Sequence, residues 1–244
     1  MTEVEWFRFF RITTTSHIMR IAILLFGLFG LAGCAVHGEP EASNQDEPII
    51  LSEGTRTYRF AAKITDNGGI TPFVVGKEIT GHFTYDLKGT KKPADPRTNP
   101  ELAAMGAQYI SERNGFVFRT GDFKFSAVGE VRLSVGKSEK NKRVGTISSE
   151  GVGMGASDLR LPKGWSMDHD TRSKTFYIGF SNIPARGAIK STEIPDRIPF
   201  AELKDEREMR LYFCSIKWPG GEVAEEAVVK AAVASLDEVV ADKK

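Results

Sequence analysis

Three adjacent residues, Asp168, His169 and Asp170, are of the types that bind divalent cations. Carboxylate oxygens suit hard cations, and neutral imidazole suits transition metals. Adjacent side chains point in different directions, so this triplet would need further ligands from elsewhere in the chain. The sequence has no EF-hand spacing and no second histidine cluster. Two interpretations remain, a metal site and a solvated turn, and short-motif statistics favour the turn.

Hydrolytic chemistry has few possible bases in this chain. After residue 34 the only histidines are His37, His82 and His169. The sequence contains no Gly-x-Ser-x-Gly elbow, His-Glu-x-x-His motif or Cys-x-x-Cys motif. We therefore predict that the protein is not an enzyme and that it has no cofactor. A metal-dependent hydrolase around His169 is kept as an alternative.

Trp165 and Trp218 are the most suggestive binding residues, because each lies beside a glycine-containing turn. An aromatic face at such a place can stack on a sugar or on a partner protein, which gives a second alternative, a carbohydrate-binding module. The competing interpretation is an aromatic plug at one end of the fold, since large aromatics mostly bury their area.

The stretch from Gly151 to Ala156 formally fits the G-x-G-x-x-A dinucleotide fingerprint. That chemistry requires a helix directly after the glycines to receive a pyrophosphate. Pro162 would break such a helix early. The sequence therefore predicts a mobile glycine loop here rather than a nucleotide site.

The stretch Leu31-Ala32-Gly33-Cys34 follows an apolar run that starts at Ile21, after Met19 and Arg20. This layout is typical of a secretory signal, and the cysteine makes it resemble the lipobox of bacterial lipoproteins. The resemblance implies cleavage before Cys34, a diacylglyceryl thioether on its sulfur and acylation, for example with palmitate, of the new amino terminus. An ordinary signal peptide or an uncleaved anchor is the alternative, although the run is too short to span a bilayer as a helix.

The first 55 residues divide into a signal peptide, 1–33, and a lipidated tether, 34–55. Residues 1–18 are unusual for a signal, and translation starting at Met19 would give a more compact one. The tether is polar and interrupted by prolines, a composition that does not pack. Ala35, rather than aspartate, follows Cys34, and for a Gram-negative lipoprotein this implies the outer membrane. We expect the protein in the cell envelope, bound to membrane lipid through Cys34.

The charge balance argues against nucleic acid as a partner. The chain holds 33 Lys+Arg and 32 Asp+Glu. The signal segment contributes Arg8, Arg11 and Arg20 against Glu3 and Glu5, so the remainder is formally neutral. No global basic excess attracts it to nucleic acid or anionic lipid. We expect an envelope protein or a glycan as the further partner.

Cys214 is the only thiol left once Cys34 is lipidated, so no internal disulfide can form. Its alternation in sequence places it on the same strand face as Tyr212 and Ile216. The sequence predicts a buried, inert thiol, because free cysteine usually packs as a small apolar residue.

Residues 56–240 read as a single all-β domain. Apolar residues recur at every second position in several runs, the pattern of half-buried strands. The inward-facing residues predicted in these runs are Tyr58, Phe60, Ala62 and Ile64; Ile79, Phe83 and Tyr85; Phe123, Phe125, Ala127, Val131, Leu133 and Val135; and Phe176, Ile178 and Phe180. A glycine at 129 indicates a bend where the chain could pass between sheets. A short helix is possible in the 88–106 loop or near the C-terminus, where 225–240 fits a helix or, slightly better, a closing strand.

The stretch Val75-Gly-Lys-Glu-Ile-Thr-Gly-His-Phe-Thr-Tyr-Asp86, together with Tyr58-Arg-Phe60 and Tyr109, resembles the start of secreted bacterial domains, including those with PEP-CTERM sorting tails. The resemblance implies an antiparallel β-sandwich, jelly-roll-like, with no assigned activity. This chain ends in Ala-Asp-Lys-Lys244 without a Pro-Glu-Pro motif, so the lipid would replace the sorting tail. The sequence thus predicts a lipid-anchored envelope protein with a non-enzymatic binding or scaffolding role.

Overall fold

A computed structural model of the chain describes residues 52–93, 104–128, 130–139, 148–167 and 175–240. The predicted signal peptide, Cys34 and most of the tether lie outside these residues, as do Gly129 and the triplet Asp168 to Asp170. The chain divides into two units, Met1–Ile50 and Leu51–Lys244, and only the second is described below.

The described residues form thirteen β-strands and no helix. The strands are β1 Thr55–Asp66, β2 Glu78–Asp86, β3 Thr90–Lys91, β4 Gly106–Ile110, β5 Gly115–Thr120, β6 Phe123–Ala127, β7 Val131–Ser138, β8 Ser149–Ala156, β9 Leu159–Arg160, β10 Ser166–Met167, β11 Thr175–Asn182, β12 Glu206–Lys217 and β13 Ala224–Glu238. The predicted all-β class is confirmed. The closing strand predicted for the C-terminal segment is also confirmed, and the alternative helix there is wrong. Residues 94–103 of the proline-rich loop lie outside the described part.

Every described strand pairing is antiparallel, and the strands belong to one sheet in the order β3-β4-β7-β8-β11-β12-β13-β1-β2-β5-β6-β9, with β10 paired to β12. The two halves of this sheet face each other across a core. Phe116 on β5 and Phe176 on β11 stack with ring centroids 3.6 Å apart, although four strands lie between β11 and β5 in the sheet order. The sandwich prediction expects two separate sheets packed face to face. Here the two facing layers are joined by hydrogen bonds into one folded sheet.

A bent hairpin links β6 and β9, at one end of the sheet order, to β7 and β8 in the other half of the sheet. The chain runs from β6 into β7 and returns from β8 into β9, so that β7 pairs with β8 and β6 pairs with β9. The backbone N–H of Val128 donates to the carbonyl of Asp158 at 3.0 Å, inside the bend. The strand up to Ala127 pairs with β9, and the strand from Val131 pairs with β8. The change of partner thus falls around position 129, where the sequence predicts that the chain could pass between sheets.

The core follows the predicted alternation. The apolar residues of β1 and β2 are buried at every second position, as are those of β7, β11 and β12 up to Phe213. Burying such side chains contributes about 1.5–3 kcal/mol each. The inward assignment is confirmed for these residues, whereas Phe123 and Ala127 are only half-buried at the edge of the core.

The glycine stretch Gly151 to Ala156 is not a loop. It forms most of β8, between β7 and β11. Val152, Met154 and Ala156 face the core, and the glycines alternate with them on the outer face. The prediction of a mobile loop was wrong because the glycines are needed for close contact on that face, as described below.

The two ends of the fold carry different features. Residues 183–205, between β11 and β12, contain no helix or strand and cover one end; we call them the strap. The described chain also begins at this strap end, where Arg113 donates to the Ser52 hydroxyl at 3.0 Å. The turns 67–77, 162–165 and 218–223 lie at the opposite end, the turn end.

Candidate functional site

Two of the predicted sites fall on residues that the structure leaves undescribed. Cys34 and the Asp168, His169 and Asp170 triplet remain predictions from sequence. Among the residues described, no group of three or more His, Cys, Asp and Glu is placed to hold a metal ion. His82 lies on the outer face of β2, half-buried, opposite Arg59 and Val117 on its neighbouring strands.

Trp165 and Trp218 are brought together at the turn end, with ring centroids 6.4 Å apart. Both are only 7% exposed. The Trp165 ring packs edge-on against Phe73, with ring centroids 6.0 Å apart, and against Phe125, with ring centroids 5.5 Å apart. The two indoles thus lie in an aromatic plug. The carbohydrate-binding alternative requires exposed loop tryptophans on which a sugar can stack, and the burial of both residues does not fit it.

Cys214 does not share a face with Ile216. Ile216 is buried while Cys214 is half-buried, because Ser215 has a positive φ of 49° and interrupts the alternation of β12. The sequence could not show this, since a serine rarely adopts that conformation. Cys214 therefore lies on the outer face with Tyr212.

Glu150 is the most strongly held charged group in the described structure. It faces inward at the strap end of β8 and is 2% exposed. Its carboxylate accepts hydrogen bonds from four consecutive backbone N–H groups of the strap, from Arg186 to Ile189, at 2.9 to 3.1 Å. The Asn182 amide donates a fifth at 2.8 Å. We call this arrangement the Glu150 cradle.

Burial alone would raise the pKa of Glu150, because it penalises the charged form. The hydrogen bonds from Asn182 and from the strap outweigh burial and lower the pKa from 4.5 to about 2. The carboxylate is therefore charged at neutral pH and serves the fold. Asn182, fully buried, extends the cradle by accepting from the N–H of Lys204 at 2.8 Å.

Three tyrosines hold the middle of the strap. The hydroxyl of Tyr109 donates to the carbonyl of Thr192 at 2.8 Å, and that of Tyr85 donates to the carbonyl of Pro195 at 3.0 Å. The hydroxyl of Tyr58 accepts from the N–H of Ile198 at 3.0 Å. Burial raises the pKa of all three hydroxyls, so they stay protonated at neutral pH.

The strap is also bound by side chains near the start of the domain. Arg56 donates to the carbonyl of Asp196 at 2.9 Å and forms an ion pair with its carboxylate. Ile189, Ile198 and Leu203 anchor the strap in the core. A segment with this many ties is a preformed surface rather than a loose connection.

A second cluster lies on the outer face around Tyr177, and its floor is glycine. A Cβ atom at Gly179 would lie 2.1 Å from the Tyr177 hydroxyl oxygen, and one at Gly153 would lie 2.7 Å from a ring carbon. The ring therefore lies along the sheet in the space that two side chains would otherwise fill. We call this the Tyr177 platform. Tyr177 as a whole residue is half-buried.

Charged groups of β12 lie along one side of the platform. Arg210, the cross-strand neighbour of Tyr177, donates through Nε to the Glu208 carboxylate at 2.7 Å. Glu206 accepts from the Ser181 hydroxyl at 3.0 Å. Burial raises the pKa of the Tyr177 hydroxyl, and the negative charge of Glu206 adds to this increase.

Sequence reasoning missed both the Glu150 cradle and the Tyr177 platform. The signal for the Glu150 cradle was a glutamate at the same every-second-residue spacing as Val152 and Met154, which places it on the inward face of the strand. The signal for the second was the spacing of Gly151, Gly153 and Gly155, a period of two that indicates one bare face of a strand.

The geometry defines an all-β protein with one folded antiparallel sheet, a tied strap and an outer tyrosine platform. No protein-family model, no curated protein and no solved structure matches the chain. In the described part of the chain, no helix has the length and apolar character needed to cross a membrane.

Proposed function

We propose that the protein is a lipid-anchored component of the bacterial cell envelope whose β domain binds or scaffolds a partner without catalysing a reaction. The anchoring rests on the Leu31 to Cys34 motif after its apolar run. The binding role rests on the strap. Buried charged and polar groups that an enzyme could use for chemistry, Glu150 and Asn182, here fix the shape of a surface segment.

The strap is the single observation that carries the binding role. Ordered connections of this length without secondary structure are uncommon and usually functional. Its exposed side chains, among them Arg186, Lys190 and Arg197, are presented on a backbone that is already fixed. A preformed surface loses less conformational entropy when a partner binds.

Anchoring is tested by metabolic labelling with an alkyne fatty acid in a bacterial host. The chain has two cysteines, which supplies a matched control. Label should appear on the wild type and on Cys214→Ala, and should be absent from Cys34→Ala. Equal labelling of Cys34→Ala would refute the anchor, and the wild type should sediment with outer-membrane fractions if the host is Gram-negative.

The binding role is tested by placing a photo-crosslinking amino acid at Ala201, an exposed strap position, and at Asp122 in the turn end as control. We expect a discrete adduct from position 201 in intact cells and none from position 122. The adduct should weaken when Glu150→Gln loosens the strap. No adduct from position 201, or one that Glu150→Gln leaves unchanged, would argue against the strap as the binding surface.

A further inference from the structure

We propose that the outer face of β1, β2, β5, β6 and β9 lies on the anionic phospholipid headgroups of the membrane that holds the protein. We call this surface the basic face. The inference rests on the lipid anchor proposed above, and it names the side of the domain that meets the membrane.

Cationic side chains are gathered on the basic face. Residues of a strand point alternately inward and outward, and outward residues of neighbouring strands stand side by side. The outward cationic residues are Arg59 and Lys63 on β1, Arg119 on β5, Lys124 on β6 and Arg160 on β9. The outward acidic residues of these strands are Glu78 and Asp86 on β2. Asp86 is buried and pairs with Arg113, so the face is net positive.

Three of the arginines are available to a partner. In the part of the chain that the structure describes, Arg59, Arg119 and Arg160 form neither an ion pair nor a side-chain hydrogen bond. Asp237 lies opposite Arg59 at the border with β13. Lys124 makes an interaction of its own, so it is not counted among the free charges. Free cations on one face attract a partner of negative charge.

The shape of the basic face suits a flat partner. Arg59 and Arg160 lie four strands apart in the sheet order, about 19 Å at the usual strand spacing. Short side chains lie beside the arginines, with Thr80 next to Arg119 and Ser126 next to Arg160. The longer arginines therefore reach a flat surface together. A headgroup layer is such a surface, and its phosphates match the guanidinium group.

The tether keeps the domain near this partner. Residues 35–51 separate Cys34 from the first described residue, and a chain of that length reaches at most about 60 Å. The headgroups are thus present at an effective concentration in the millimolar range. Each arginine near an anionic membrane surface strengthens docking about fivefold. Three such contacts act on a domain that is already held at the membrane.

Docking through the basic face leaves the strap open to a partner. The strap covers one end of the strands, whereas the basic face is their outer side. The outer face of β12, in the other half of the sheet, carries Glu206 and Glu208 beside Arg210. That half has no comparable excess of cations, so an anionic surface distinguishes the two sides of the domain.

The test measures which side of the anchored protein faces the lipid. The full chain is produced in a bacterial host, purified in a non-ionic detergent and reconstituted into vesicles of phosphatidylcholine, alone or mixed with anionic phosphatidylglycerol. A fluorophore is attached at Thr80→Cys on the basic face or, as the control site, at Ser134→Cys on the outer face of β7. Both proteins carry Cys214→Ala, and acylated Cys34 has no free thiol. Energy transfer to a headgroup-labelled lipid is measured.

We expect phosphatidylglycerol to increase the energy transfer from position 80 and to leave that from position 134 unchanged. A high salt concentration should remove the increase, because it screens the attraction between the arginines and the headgroups.

Paired charge changes show whether the arginines cause the docking. Arg119→Glu with Arg160→Glu should weaken docking at least about tenfold and return the transfer from position 80 to its value in phosphatidylcholine. Arg119→Gln with Arg160→Gln should act in the same direction but less strongly. Lys163→Glu with Lys217→Glu, at exposed positions of the turn end, changes the net charge equally and should leave the increase intact. Thermal melting shows which variants are folded.

The inference is overturned if phosphatidylglycerol has no effect at position 80, if it acts equally at position 134, or if the two charge-reversal pairs act alike. Binding of soluble polygalacturonate to this face, without a response to phosphatidylglycerol, would assign it to an acidic polysaccharide instead. Co-sedimentation with phosphatidylcholine vesicles and fatty-acid labelling at Cys34 report on the anchor, and crosslinking at position 201 reports on the strap. A failure of docking is therefore distinguishable from a failure of either.

Discussion

At Glu150 a single carboxylate holds the backbone of the strap from Arg186 to Ile189, beside the tyrosine and arginine contacts that hold its later part. A buried charge without compensation costs several kcal/mol, and an ion pair is the usual remedy. Here the described partners are neutral donors, four backbone N–H groups and one amide. The negative charge is spread over these groups, so the strap is held by the strength of charge-assisted hydrogen bonds.

The cradle makes stability depend on pH in the acid range. The folded pKa of Glu150 is about 2 and its ordinary value is 4.5. A lowered carboxyl pKa contributes stability that is fully present above the ordinary value and is lost as the pH falls toward the folded value. The contribution is at most about 3 kcal/mol.

We therefore expect the free energy of unfolding of the wild type, measured with urea, to fall steeply as the pH is lowered from 4.5 to 2. This window is set by the two pKa values of Glu150. Glu150→Gln should lose about 1–3 kcal/mol at pH 7, because an amide presents a donor to donors. It should also lose less stability in the acid window. Glu222→Gln, at an exposed position, is the control and should behave as the wild type does. Parallel acid profiles for Glu150→Gln and the wild type would contradict the cradle.

Trp165 gives a second test at the residue scale, because its indole nitrogen is buried and has no hydrogen-bond partner in the described structure. Trp165→Ala should cost about 3–5 kcal/mol through the cavity it leaves. Trp165→Phe should cost clearly less, since no hydrogen bond is lost with the indole. Chemical unfolding measures both. A cost of Trp165→Phe as large as that of Trp165→Ala would contradict this expectation.

At the scale of elements, the strap depends on contacts between residues far apart in sequence. Tyr58 accepts the N–H of Ile198 across 140 positions. Tyr58→Phe leaves that buried N–H without its acceptor, which costs about 1–3 kcal/mol. We expect amide exchange around residue 198 to speed up about tenfold or more, while β8 and β11 stay protected.

Tyr212→Phe is the matched control for that exchange experiment, since Tyr212 lies half-buried on the outer face of β12, whereas Tyr58 faces the core. It should leave exchange at residue 198 unchanged. Equal acceleration by Tyr212→Phe would mean that any tyrosine change loosens the strap, and that Tyr58 has no special part in it.

Individual elements were predictable to different degrees. The alternation in β1, β2 and β11 is a local property of the sequence, so their inward faces were foreseeable. β8 was not, because glycines alone do not distinguish a loop from a strand with one bare face. The strap was not foreseeable either, since its order depends on Glu150, Tyr58 and Arg56, which come from other parts of the chain.

For the whole molecule, the all-β class could be predicted but the continuity of the sheet could not. Periodicity identifies strands, whereas the pairing of β13 with β1, which joins the two halves, is set by register over distant residues. Of the site residues proposed from sequence, Trp165 and Trp218 do meet. They meet as a buried plug, because their neighbours Phe73 and Phe125 close the turn end around Trp165.

A continuous sheet predicts that the domain unfolds as one unit. The tryptophans of the described part lie at the turn end and Glu150 lies at the strap end, so they report on opposite ends. We expect Glu150→Gln to lower the urea midpoint followed by tryptophan fluorescence as much as the midpoint followed by far-ultraviolet circular dichroism. Separate midpoints in the variant would mean that the ends unfold independently.

The first and last described strands meet at the strap end, where the N–H of Val239 donates to the carbonyl of Thr57 at 2.8 Å. A short linker from the end of β13 to the start of β1 would therefore allow circular permutation. The new chain ends would be opened in the turn 218–223. In such a permutant an epitope tag would project from the turn end. A tag fused after β13 in the native order would lie beside the point where the chain enters the domain.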